Sequence, residues 1–197
     1  MNEVHLDDLV DLFYRAFPIL PDTPEGDVRK AIDQFSTQRL GSIQVIRDPL
    51  EELSQGDILN PIPFIEWSDQ GEPSNFTAPG MIITSTCDLD RKGNIVFCPC
   101  YQLSILGSGN SSFSKNISEN TVFEFFYVDK LFDGNTWAVD LSRPMTLPRD
   151  RVFEKIYNGD ISKKHSLTDK GWYLFITKFS MKYFRPDDSA TMQLRKV

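Results

Sequence analysis

Residues 81–100 read Met-Ile-Ile-Thr-Ser-Thr-Cys-Asp-Leu-Asp-Arg-Lys-Gly-Asn-Ile-Val-Phe-Cys-Pro-Cys, and they hold all three cysteines of the 197-residue chain. Two apolar runs flank a polar turn, which predicts two buried strands joined as a hairpin, with arms apolar enough to be central in a sheet. Thr86, Cys87, Asp88 and Asp90 crowd reactive and polar groups at the end of the first strand, where a fold can expose chemistry.

Upstream, Ile58, Ile62, Phe64 and Trp67 fall on one face of an extended segment interrupted by Pro61 and Pro63, an edge strand or a bulge. Ser54 to Asp57 reads as the turn before it, and Ser68 to Pro79 as a long exposed loop. Downstream, Thr121 to Val128 and Thr136 to Leu141 read as strands around the turn Asp133-Gly134-Asn135, while Gly107 to Ser112 reads as a flexible loop.

Helical periodicity marks both ends of the chain. Leu6, Leu9, Val10, Phe13 and Phe17 form one stripe and Val28, Ala31, Ile32 and Phe35 a second, predicting an N-terminal helical hairpin. Ile43 to Ile46 follows as a short strand, and Asp48 to Glu51 as a capped helical turn. Val152, Phe153 and Ile156 predict a short helix ended by Gly159, Asp160 to His165 a polar connection, and Trp172, Phe175, Ile176, Phe179 and Tyr183 a last helix capped by Ser166 or Thr168. The expected organisation is a helical segment over residues 1–53 and, over residues 54–197, an antiparallel sheet curled into a small barrel with C-terminal helices, one compact unit of α+β class.

Forty per cent hydrophobic content with 15 phenylalanines excludes a largely disordered chain, and a net charge of −7 argues against a general nucleic-acid binder. Three cysteines are too few and too odd in number for a disulfide scaffold, the acidic N-terminus is unlike a signal peptide, and no run spans a bilayer; these point to the cytoplasm. The glycosylation sequons at Asn75, Asn110 and Asn116 are then coincidental.

The order Gly56-Asp57-Ile58, a polar loop, Gly80-Met-Ile-Ile-Thr-Ser, a polar turn and Ile95-Val-Phe-Cys-Pro-Cys resembles the MazF/PemK toxin family over about residues 55–101. That resemblance implies a small antiparallel SH3-like β-barrel, flanked here by the N-terminal hairpin and the C-terminal helices. It also implies RNA cleavage by an arginine in the loop before the second strand and a hydroxyl after the Cys-Pro turn. Ser68 to Pro79 contains no arginine, and Cys100-Tyr101 stand where the hydroxyl belongs, so the transition-state charge has no evident partner.

Several constellations carry chemistry on paper, each beside a plainer reading. Cys87 with His165 as base and Asp88 nearby is a candidate nucleophile, against a packed free thiol next to a turn-capping aspartate. Cys87, Cys98 and Cys100 with His165, Asp88 or Asp90 offer a zinc donor set, although Cys-x-Cys is not the usual knuckle; Asp57, Asp88 and Asp90 offer oxygens to Mg²⁺. Arg143, Arg149, Arg151, Lys155, Lys163, Lys164 and His165 make a basic stretch suited to an acidic partner or RNA, or a solvated face.

The expected function is non-catalytic binding in a bacterial toxin–antitoxin or phage-defence system, with a protein partner and no cofactor or metal. Asp57, Thr86, Asp88, Asp90, Arg143 and Arg149 are the expected binding residues. The alternatives are a diverged endoribonuclease and a hydrolase using Cys87.

Overall fold

Strands β2 (Ile58–Trp67), β3 (Pro73–Ile82) and β4 (Asn94–Gln102) form the middle of the sheet in the computed structural model, which describes residues 45–107, 110–132 and 134–183. Around them lie β1 (Ile46–Arg47), β5 (Phe125–Phe132), β6 (Asn135–Asp140), β7 (Met145–Pro148) and β8 (Ser162–Leu167). The order is β1-β8-β2-β3-β4-β6-β5, with β7 paired to β4, and every pair is antiparallel.

This corrects the expected SH3-like barrel: among the described residues the sheet is open, with no hydrogen-bonded pair joining β1 to β5. The physical reason is visible in the side-chain alternation. A small barrel buries one face of its strands, whereas here both faces are buried. Ile58, Met81, Ile83, Cys98 and Cys100 point into one core, and Leu59, Ile82, Ile95 and Phe97 into another. The apolar runs that suggested a barrel interior belong to a sheet sandwiched between helices. The predicted N-terminal helical hairpin and the start of the Ile43 strand lie outside the described residues.

Among the described residues the helices are α1 (Thr86–Leu89), α2 (Leu103–Leu106), α3 (Ser111–Ser118), α4 (Arg149–Tyr157) and α5 (Asp169–Tyr183). Val152, Phe153 and Ile156 of α4 cover the Leu59 core, while Leu174, Phe175 and Ile176 of α5 fill the Ile58 core. Leu103, Ile117 and Ala138 form a third cluster beneath α2 and α3. Each fully buried Ile, Leu or Phe contributes roughly 1.5–3 kcal/mol, so these stripes hold the layers together. Thr168 starts α5 by accepting from the Gly171 amide at 3.0 Å, as its sequence position predicts. Gly171 has a packing reason too: a Cβ there would collide with the Val45 carbonyl, so the glycine lets α5 sit against the backbone leading into β1.

Several local readings change, and the capped helical turn expected at Asp48 to Glu51 is a bend without a helix. Ser68 to Pro79 is mostly strand β3, and only Ser68–Glu72 turns, with the Ser68 amide donating to the Glu72 carbonyl at 2.8 Å. The polar turn after Thr86 contains a helical turn, and the polar stretch from Ser162 is strand β8. From Asp140, the last residue of β6, to Pro144, five residues stand opposite Cys98 and Pro99 of β4, a break in an otherwise continuous neighbour.

β2 and β3 outrun their neighbours. β8 pairs only with Ile58–Asn60 and β4 only with Gly80–Ile82, so residues 61–79 project as a two-stranded arm.

Candidate functional site

Asp57 is fully buried, and the chain around it explains why it is tolerated. Its Oδ1 accepts from Ser166 Oγ at 2.5 Å, and its Oδ2 accepts from the Ser54 amide at 2.8 Å and from Lys163 Nζ at 3.1 Å. Ser166 Oγ in turn accepts from the Leu50 amide at 2.9 Å, and Lys163 Nζ donates to Glu52 O at 2.6 Å. All polar groups of this knot are partnered, which is how a buried ion pair persists. The knot fastens the residue 48–57 loop to β8. Thr86 joins its rim by accepting from the Gln55 amide at 3.0 Å, and the Gln55 side chain bridges Ile83 O and Trp172 Nε1.

Cys87 is exposed on α1, and its sulfur lies 3.1 Å from Ser85 Oγ. His165 is in β8, paired with Ile58, with its ring edge-on to Phe132 at 5.9 Å. Among the described residues no hydrogen bond joins the thiol to this imidazole, so the nucleophile–base pair is not assembled. Asp88 is half-buried, and its carbonyl accepts from the Arg91 and Lys92 amides.

Cys98 and Cys100 face the Ile58 core, away from Cys87. Burial, with Asp140 nearby, pushes the Cys98 thiol up to about 12; burial raises Cys100 as well, with Cys98 adding to it and a Met81 backbone hydrogen bond opposing. Burial therefore keeps both thiols protonated near neutrality in the metal-free fold. Among the described residues no group of three His, Cys, Asp or Glu side chains is placed to hold a metal, so neither the zinc nor the Mg²⁺ donor set converges.

The two candidate arginines have separate jobs. Arg149 donates from Nε to Leu89 O at 2.7 Å, lies 3.6 Å from Asp90 and sits 4.5 Å over the Phe153 ring, tying α1 to α4. Arg143, in the break between β6 and β7, pairs with Asp140 at 3.4 Å and with Glu66 of the arm at 3.3 Å. Asp140 Oδ1 also accepts from the Ser142 amide and hydroxyl. Tyr101 Oη is buried beside this cluster, and burial raises its pKa against the pull of Arg143.

Sequence reasoning missed the arm. Its inner face is a ladder of rings across three strands, Phe64 on Phe76 at 5.5 Å and Phe76 on Tyr101 at 6.1 Å, ending at the Glu66–Arg143 pair. Its outer face carries Pro63 opposite Thr77, Ile65 opposite Asn75 and Trp67 opposite Pro73. Ile65 is 61% exposed and Trp67 72%. The signal was present in the alternation Ile62, Phe64, Glu66 against Pro63, Ile65, Trp67, which makes both faces of this strand mostly apolar.

No helix among the described residues is long and apolar enough to cross a membrane. No protein-family model matches the sequence, and no curated protein matches it.

Proposed function

We propose that the protein acts by binding another protein through the outer face of the β2–β3 arm, as a non-catalytic regulatory component. The observation that carries this reading is the neighbouring Ile65 and Trp67, which share one face of a projecting hairpin whose other face is consumed in the core. Exposed aromatic and branched apolar residues adjoining one another are the usual anchors of protein interfaces.

The polar sites support catalysis less well. Cys87 has a hydroxyl rather than an imidazole at its side, and both Arg143 and Arg149 are engaged by carboxylates, which leaves neither poised for an RNA phosphate. The likeness of residues 55–101 to MazF/PemK toxins is the sole ground for placing the protein in a bacterial toxin–antitoxin or phage-defence system.

The test is co-purification from the native cell with wild-type protein and with an Ile65→Ser/Trp67→Ser variant of unchanged urea midpoint. Loss of a stoichiometric partner from the variant alone supports the reading. A partner retained by the variant, or turnover of RNA or ester substrates abolished by Cys87→Ser or Arg143→Met, overturns it.

A further inference from the structure

We infer that the partner of the arm is a basic amphipathic helix, docking its apolar stripe on Ile65 and Trp67 and its lysines or arginines against the acidic tip; this rests on the binding reading above.

The chain from Asp48 through Asp90 contains nine acidic residues and no lysine, arginine or histidine. Within the arm, Asp69 and Glu72 are exposed at the hairpin turn, next to Trp67 and Pro73. Glu66 is the arm's other carboxylate, and it already faces Arg143 on the inner side. The outer face therefore offers two apolar anchors rimmed by two carboxylates that have no ion partner among the described residues, and no cation nearby in sequence. Such a surface attracts a basic partner and repels an acidic one, which sets specificity as well as encounter rate.

The backbone argues for a helix rather than an added strand. Pro61, Pro63, Pro73 and Pro79 strip amide donors from both strands of the arm, which blunts its edges against β-pairing, including pairing with a second copy. That leaves the side-chain face as the docking element. Side chains two residues apart on a strand are separated by about 6.6 Å, close to the ~5–6 Å between i and i+4 neighbours on a helix. An apolar helical stripe can thus meet Ile65 and Trp67 in register, while its flanking basic residues reach Asp69 and Glu72.

The experiment uses the full chain and three synthetic peptides: a leucine–lysine amphipathic helix, its leucine–glutamate twin, and a serine–lysine peptide of equal charge without an apolar face. Titration calorimetry is expected to show saturable binding of the leucine–lysine peptide only. Trp67→Ser is expected to weaken it about tenfold or more, and Asp69→Asn/Glu72→Gln to weaken it severalfold and reduce its salt dependence. Equal binding of the glutamate twin, equal binding of the serine–lysine peptide, or unchanged affinity in both variants overturns the proposal. So does Trp67-dependent self-association in sedimentation, which would make the occupant a second copy. If no peptide binds yet the cellular partner is lost with Trp67→Ser, the partner class is wrong and the binding function stands. If capture is independent of Trp67, both fall.

Discussion

Lys178 of α5 is fully buried and donates from Nζ to Asn120 Oδ1 at 2.8 Å and to Asn120 O at 2.9 Å. Asn120 closes the turn after α3 in the left-handed region, at a φ of 54°, and its Oδ1 also accepts from the Tyr127 amide at 3.0 Å. Asparagine tolerates that conformation better than most residues. One amine thus pins the C-terminal helix to the corner that leads into β5.

Burial pushes the Lys178 amine down from 10.5 to about 7, with Glu124 pulling the other way. Above pH 10.5 the amine is neutral in both folded and unfolded chains. As pH falls from 10.5 towards 7 the unfolded chain takes up the proton first, so stability is lost across that window and levels off below about 7. The loss is on the order of 5 kcal/mol at 1.36 kcal/mol per pKa unit. Urea midpoints of the wild type and Lys178→Met, compared from pH 7 to pH 10, should diverge in favour of the wild type as pH rises. A difference that does not change with pH would reject this account.

Asp57→Ala leaves Lys163, whose side chain is only 12% exposed, without its carboxylate, and frees the residue 48–57 loop from Ser166. Breaking one partner of a buried pair typically costs about 3 kcal/mol or more. In a double-mutant cycle with Lys163→Met, the Asp57→Ala penalty should shrink once the lysine is gone. Additive penalties would show that the pair does not interact.

Thiol labelling separates the three cysteines. Cys87 is exposed, whereas Cys98 and Cys100 are buried with raised pKa values. One equivalent of a disulfide reagent should react quickly with the folded protein at pH 8, and all three thiols should react in urea. Cys87→Ser should abolish the fast phase. A second fast thiol in that variant would mean that the core opens around Cys98 or Cys100.

Much of the element pattern follows from periodicity. The strand from Ile58 to Trp67 with its proline bulge, the strand through Phe97 and Cys98, and the stripe from Trp172 to Tyr183 were readable from spacing. The single face expected for Ile58, Ile62, Phe64 and Trp67 is split, however: the register shift between Leu59 and Ile62 leaves Ile58 in one core and Ile62 and Phe64 in the other, and Trp67 lies exposed on the outer face. The polar strand Ser162–Leu167 was not, since it owes its conformation to pairing with β1 and β2 rather than to its own pattern. Gly171 looks like a helix weakener until its contact with Val45 is seen.

By itself, then, the amino-acid sequence determined that this chain buries a mixed core of strands and helices, that Ser166 or Thr168 opens the last helix, and that residues 48–90 carry acid without base; the structure chose Thr168. Whether the strands close was decided by tertiary structure, because apolar runs look alike in a barrel and in a sheet covered on both faces. Tertiary structure also separated Cys87 from Cys98, Cys100 and His165, and it alone left Ile65 and Trp67 uncovered. Sequence sets which side chains avoid water, but only the meeting of distant strands decides which of them find a partner within the chain.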